Sequence, residues 1–184
     1  MNEYIKSDLF RYTGKTSFFA AVSNFFVNRA FRHQVYIRMS NKKGITGKIG
    51  KGLYYINRSL NKNMQISYRC KIGYGLYIGH GGPIVISRYT KFGNNVNLSQ
   101  FTTIGTNNDV GATIGNNVYI GPSVCIIGGV KIGNNVTIGA GSIVTKDIPD
   151  GETVAGNPAR IINNNLHPEF IQNAWVVDDE RNQD

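Results

Sequence analysis

An aliphatic residue returns at every sixth position through the middle of this chain. The beat runs Ile66, Ile72, Ile78 and Ile84, slips by two, and continues as Phe92, Leu98 and Ile104. It then slips by four and resumes as Ile114, Ile120, Ile126, Ile132, Ile138 and Val144, with Gly following most of these residues. A period of six matches neither a helix (about 3.6) nor a simple strand (about 2). It predicts a β-helical solenoid in which each hexad supplies one short face of a coil.

The string GNNV recurs at Gly93, Gly115 and Gly133 and sets the length of a coil at three hexads. Four coils then stack three inward columns. One column is Ile72, Phe92, Ile114 and Ile132. A second is Ile78, Leu98, Ile120 and Ile138, and the third is Ile84, Ile104, Ile126 and Val144. Asn and Gly suit the turns between faces because they tolerate left-handed backbone angles. The two slips, assigned to Val85–Lys91 and Gly105–Thr113, read as surface loops, since a repeat fold expels extra residues outward.

The solenoid occupies residues 64–162. Ahead of it, residues 1–63 read as a basic helical segment and link. The first fifteen residues are polar and mixed. Thr16 or Ser17 caps a helix with Phe18, Phe19, Val22, Phe25 and Phe26 at helical spacing, and a second apolar stretch runs from Phe31 to Met39. The Gly- and Lys-rich stretch from Lys42 to Gly52 reads as a link or an irregular first coil. Residues 163–184 form a C-terminal cap over Leu166–Trp175 and an acidic tail, expected to be mobile, from Asp178. The fold class is therefore an all-β solenoid with a short N-terminal helical segment.

Charge adds one feature. Of the net +9, residues 1–63 hold 12 Lys/Arg against 2 acids, while residues 163–184 hold 1 against 5. A basic first third faces an anionic surface or ligand, or is a solvated basic face. No nucleic-acid module is present. Phe18–Val27 is too short to span a bilayer, and Arg29 and Arg32 follow it without a cleavage site. The expected location is the cytoplasm, extending to the inner face of the membrane. Cys70 and Cys125 lack metal-type spacing and read as packing residues.

His80 is the only histidine within the hexads. A histidine suits general-base work because imidazole titrates near neutrality, and a single histidine argues against a metal-dependent hydrolase or hydratase. No metal is expected. The residues two positions after the second column are His80, Gln100, Pro122 and Ala140. They are expected along one edge, with its ends ~14 Å apart at the spacing of stacked strands. This edge makes a track for a long, thin ligand arm. A turn histidine bonded locally is the alternative reading of His80.

The hexads, IGHGGPIVI, SQFTTIG and the closing IGAGSIV…PDGETVAGNPARII resemble the hexapeptide-repeat acyltransferases. The similarity is greatest to the serine acetyltransferase family and its shorter relatives that acetylate bacterial surface polysaccharides, the colanic-acid type. That resemblance implies a left-handed parallel β-helix. It also implies a homotrimer with active sites between subunits, in which the basic segment is able to pair trimers, and acetyl-CoA as cosubstrate. His80 falls at the family's catalytic histidine. Pro122 and Ala140 fall along the pantetheine arm, Gly105 and Thr106 at the thioester end, and Lys146 and Arg160 at CoA phosphates. The last two read equally as exposed cations.

The departures concern the acceptor. Serine acetyltransferases carry an acid where Gln65 stands, Asp where Gly79 stands, and an Arg-His-Pro stretch where Val110-Gly111-Ala112 stand. Only Asp109 of that loop matches. The expectation is therefore O-acetylation of a sugar hydroxyl in a surface glycan or its precursor. In that scheme His80 is the base, an N–H near Gly105 or Thr106 serves the oxyanion, and Asp109 and Gln100 bind acceptor or orient the base. Alternatives are a serine O-acetyltransferase, an amino-sugar-nucleotide N-acetyltransferase, and a non-catalytic solenoid.

Overall fold

The computed structural model describes residues 1–106 and 108–177. The tail from Asp178, expected to be mobile, lies outside the described residues. The hexads fold as short strands on three faces of a parallel solenoid. The first face stacks Met64–Ile66, Ile84–Ile86, Thr103–Gly105, Cys125–Ile127 and Ile143–Val144. The second stacks Lys71–Ile72, Lys91–Phe92, Thr113–Ile114 and Lys131–Ile132. The third stacks Tyr77–Ile78, Asn97–Leu98, Tyr119–Ile120, Thr137–Ile138 and Thr153–Ala155. Strand Arg160–Asn163 then turns back antiparallel on Thr153–Ala155 and covers the last open edge.

Register confirms two columns as the spacing predicts them, Ile72–Phe92–Ile114–Ile132 and Ile78–Leu98–Ile120–Ile138. The third column differs. Ile104 pairs with Ile86, not Ile84, and Ile86 pairs with Ile66. The column is therefore Ile66, Ile86, Ile104, Ile126 and Val144. The slip of two lies between Ile78 and Ile86, not within Val85–Lys91. The stretch Ile84-Val85-Ile86 hid this, because both isoleucines point inward and both are buried.

The GNNV strings build the edge between the second and third faces. The first Asn of each string accepts a backbone N–H from the coil before it. Asn94 Oδ1 accepts from Tyr74 N, Asn116 Oδ1 from Asn94 N, and Asn134 Oδ1 from Asn116 N, at 2.7–2.9 Å. The second Asn takes the left-handed conformation, at φ 55°, 54° and 55° for Asn95, Asn117 and Asn135. The glycine is needed for space: a Cβ on Gly115 would lie 2.6 Å from Gly133 O.

Four helices precede the solenoid: α1 (Glu3–Thr13), α2 (Phe18–Val27), α3 (Arg29–Ser40) and α4 (Gly44–Leu60). Two of them correct the sequence reading. Residues 1–15, which show no apolar period, form α1, capped by Asn2. The Lys42–Gly52 stretch is mostly α4 rather than a link. Glycines disfavour a helix in isolation. Here Gly47 and Gly50 let α4 lie directly on the end of α3, where a Cβ on Gly50 would meet Ser40 N at 2.6 Å.

These helices complete the first coil. The strand Tyr77–Ile78 is the free edge of the third face, and side chains satisfy its backbone. Asp8 Oδ1 accepts from Leu76 N at 2.9 Å, and Ser7 Oγ accepts from Gly75 N at 2.9 Å. The Tyr12 hydroxyl accepts from Ile78 N at 3.0 Å, and Gln34 Nε2 donates to Leu76 O at 2.8 Å. Arg38 donates to Ile72 O and Gly73 O at 2.7 Å and forms a two-pronged pair with Asp8 at 2.8 Å.

His33 of α3 is buried, and its Nδ1 accepts from Asn57 Nδ2 of α4 at 2.8 Å. Burial pushes its pKa down to about 4. A histidine depressed in the folded state adds stability above its unfolded pKa, near 6.5, and loses it as pH falls toward 4. Urea unfolding should therefore show a loss of about 3 kcal/mol across that window, and His33→Gln should flatten the loss.

Candidate functional site

Three of the four corners joining the third face to the first are alike. Leu98 to Ile104, Ile120 to Ile126 and Ile138 to Val144 each take one hexad, with a positive φ at Phe101 (62°), Ser123 (59°) and Gly141 (69°). The remaining corner, Ile78 to Ile86, is two residues longer. The surplus is housed at His80 and Gly81, both left-handed (φ 59° and 57°). Gly82, not His80, stacks on the next coil, since a Cβ on Gly82 would lie 2.7 Å from Gln100 Cβ. The expectation that His80 stacks directly above Gln100 is corrected: the histidine is lifted out of the column on a two-residue bulge.

The ring of His80 is exposed and makes no hydrogen bond to another described residue. Beside it lies a hollow of about 450 Å³, lined also by Asn24 and Val27 of α2, the start of α3, Tyr12 and Tyr77. Burial pushes the Tyr12 phenol well above its ordinary pKa, so Tyr12 remains a neutral hydrogen-bonding group. The amide Nδ2 of Asn24 is buried without a hydrogen-bond partner, as is Gln100 Oε1. Buried amide atoms ordinarily find partners; His33 Nε2, Thr90 Oγ1 and Glu152 Oε2 are left unpaired in the same way elsewhere in the described residues. Asn24 and Arg29 carry no sequence signal for lining this hollow, because only the docking of the helices brings them to the histidine.

The other expected residues divide between two edges. Gln100, Pro122 and Ala140 continue the His80 edge, linked by Ser123 N to Gln100 O (3.0 Å) and Gly141 N to Pro122 O (2.9 Å). Arg160 joins this edge in the last coil, because Ala155, its register partner, follows the third column. One edge thus runs from the histidine to a guanidinium. Gly105, Thr106, Asp109 and Lys146 lie on the edge between the first and second faces. The slip of four falls there, between Thr103–Gly105 and Thr113–Ile114. Asn108 organises that loop, with Thr106 Oγ1 donating to its Oδ1 at 2.7 Å, and Asp109 is exposed. Gly105 and Thr106 border a different hollow, of about 560 Å³ on the first face, with Arg58, Arg69 and Arg88 in its walls. A whole face separates the two edges, so one chain does not bring an N–H of Gly105 or Thr106 to His80.

Comparison with known proteins agrees with this architecture. The family model described as bacterial transferase hexapeptide (six repeats) matches residues 111–146. A relative from Arabidopsis thaliana, serine acetyltransferase 3, mitochondrial, is 41% identical over 103 residues, covering 54% of this chain and 26% of its own. The serine acetyltransferase of Helicobacter pylori (strain ATCC 700392 / 26695) is 34% identical over 119 residues, covering 59% of this chain and 70% of its own. Among solved structures, soybean serine acetyltransferase complexed with serine superposes with a TM-score of 0.69 at 26% identity, covering 86% of this chain and 68% of that one. The chain thus spans about a quarter of the Arabidopsis relative's length and most of the bacterial one's.

Proposed function

We propose an activity from one premise: the chain belongs to the serine acetyltransferase family. It moves the acetyl group of acetyl-CoA onto the side-chain hydroxyl of serine. The sugar acceptor expected from the sequence is overturned, because the relatives and structural neighbours are serine acetyltransferases. That expectation assumed that groups at Gln65, Gly79 and Val110–Ala112 define the acceptor site. The hollow beside His80 is lined by residues of the helices as well as by Tyr77, Ile78 and Gly81 of the solenoid. The polysaccharide role and the colanic-acid likeness are withdrawn with it.

In this reading His80 Nε2 or Nδ1 takes the hydroxyl proton as the serine oxygen attacks the thioester carbon. A C–O bond forms, the C–S bond breaks, and the proton passes to the leaving thiolate. The products are O-acetylserine and free CoA. Acetyl-CoA lies along the His80 edge, past Gln100, Pro122 and Ala140, with Arg160 at its phosphate end. The unpartnered Gln100 Oε1 supports a ligand donor on that edge.

Gly105 and Thr106, with Asp109 and Lys146, act from a neighbouring copy, which explains their separation from His80 on one chain. A homotrimer meets that requirement, because it sets one subunit's second edge against the next subunit's first. The hexad solenoid has the prismatic shape for such packing. Among the described residues no helix is long and apolar enough to cross a membrane. The membrane-face location was expected from the placement of basic residues alone and is not carried further in this reading of the activity.

The observation that carries the reading is a family histidine raised on a bulge beside an open hollow. Its test is thiol release from acetyl-CoA with L-serine, an amino sugar nucleotide and a hexose oligosaccharide. Release with serine alone is the expected result, and no release with serine would overturn the proposal.

A further inference from the structure

We propose that the helical segment docks on an anionic lipid surface, with the outer stripe of α4 and the exposed phenylalanines of α2 seated among the lipids. The inference goes beyond the acetyl transfer assigned to His80 and holds whatever the acceptor.

The helix α4 has a buried face and a separate apolar stripe. Gly47, Gly50, Tyr54 and Asn57 are buried against the rest of the chain. Ile45, Ile49, Ile56 and Leu60 are 52–78% exposed. At about 100° per residue these four fall within an arc of about 60°, clear of the buried face. A single exposed aliphatic residue is ordinary, but these four run the length of the helix. Lys48, Lys51 and Arg58 lie on the other side of the stripe from the buried face. None of the three is in a salt bridge with another described residue. An apolar stripe bordered by cations suits a helix lying in the plane of a membrane interface. Its apolar side chains enter the acyl boundary while its cations reach the headgroups.

A second apolar surface lies on α2. Phe18, Phe19, Phe26 and Val27 are all exposed. Beside them is a hollow of about 290 Å³ lined by apolar side chains alone, among them Ile5, Ala21 and Phe31. Arg29 and Arg32 follow directly in the chain. Both α2 and α4 pack on α3, which Arg38 ties to the first coil through Ile72 O and Gly73 O.

Charge selects the occupant. Residues 1–63 hold 12 Lys/Arg against 2 acids, and both acids are paired, Asp8 with Arg38 and Glu3 with Lys6. No further acid follows until Asp109. A second copy seated on this surface would bring two unbalanced sets of cations together, at a cost in repulsion. Anionic headgroups neutralise them and draw the segment to the surface. An anionic bilayer therefore satisfies the stripe and the charge at once.

The test is flotation of the full chain with vesicles of phosphatidylcholine alone and of equal parts phosphatidylcholine and phosphatidylglycerol. Binding is expected to the mixed vesicles, with little to phosphatidylcholine alone, and is expected to weaken in about 1 M salt, where the screening length is ~3 Å. Lys48→Gln with Lys51→Gln should lower the partition about fivefold per charge removed. Ile49→Ser with Ile56→Ser should lower it about tenfold or more. These side chains are exposed, so urea unfolding of both variants should match the wild type, which separates lost docking from lost folding. Failure to float with the mixed vesicles, or equal flotation with phosphatidylcholine alone, would overturn the proposal. Binding that Ile49→Ser with Ile56→Ser leaves unchanged would reduce the surface to a plain basic face and overturn it too. Sedimentation velocity without lipid covers the remaining occupant. A smaller assembly in the isoleucine variant, with no vesicle binding by the wild type, would make the stripe a contact between copies and sink the lipid surface.

Discussion

Replacing His80 with asparagine should slow thiol release from acetyl-CoA in the presence of serine by about 10²–10⁴-fold, the range that a positioned general base contributes. Asparagine is the appropriate replacement because residue 80 sits at φ 59°. Asn tolerates the left-handed region several-fold better than most residues, so the bulge survives while the base is lost. The KM for acetyl-CoA should remain near its wild-type value, because the track past Gln100, Pro122 and Ala140 is untouched. A structural role for His80 would produce a different result, with urea unfolding shifted and activity lost only in proportion. The exposed ring has no hydrogen-bond partner among the described residues, which predicts a stability change near zero. Rates within a few-fold of wild type would exclude His80 as the base.

Replacing Asp8 with alanine should cost about 3–5 kcal/mol in urea unfolding, the usual result of stripping one partner from a buried ion pair. Asp8 is 1% exposed and its two oxygens face the Arg38 guanidinium at 2.8 Å. Burial pushes its carboxyl above the ordinary value, and Arg38 pulls it back. The alanine variant would strand the guanidinium and leave Leu76 N without its acceptor. Because Arg38 also holds Ile72 O and Gly73 O, the loss loosens the seat of α1 and α3 on the first coil. A double-mutant cycle with Arg38→Met isolates the coupling. If Asp8→Ala alone costs under about 1 kcal/mol, the pair does not anchor the helices. Activity should fall with stability in this variant, because the start of α3 lines the hollow beside His80.

The two variants probe opposite levels of legibility. His80 stood out in the sequence because it is the only histidine in the repeat. Asp8 and Arg38 were invisible as a pair, since they lie thirty residues apart on helices whose docking no local pattern announces. The same contrast holds for α4. Its glycines argue against a helix in isolation, and their purpose is apparent only where Gly47 and Gly50 meet the end of α3. In the third column, Ile84 and Ile86 are equivalent to any rule based on hydrophobic spacing. Hydrogen-bonded register alone chose Ile86, and with that choice moved the two surplus residues to His80 and Gly81. The acceptor was misread because the departures at Gln65, Gly79 and Val110–Ala112 were weighed above the rest of the chain, whose relatives are serine acetyltransferases.

By itself the sequence determined the solenoid, its coil length and two of its three columns, and it singled out His80 as the candidate base. A six-residue repeat of buried aliphatic positions admits few other packings, because each coil must bury its apolar residues against the next. Tertiary structure decided which isoleucine keeps the column, how the helices close the first coil, which residues share an edge with His80, and what walls its hollow. Those features depend on contacts between segments distant in the chain. There the energy lies in matched hydrogen bonds, close backbone approaches and buried charge, and a linear pattern of hydrophobic and polar positions carries no record of them.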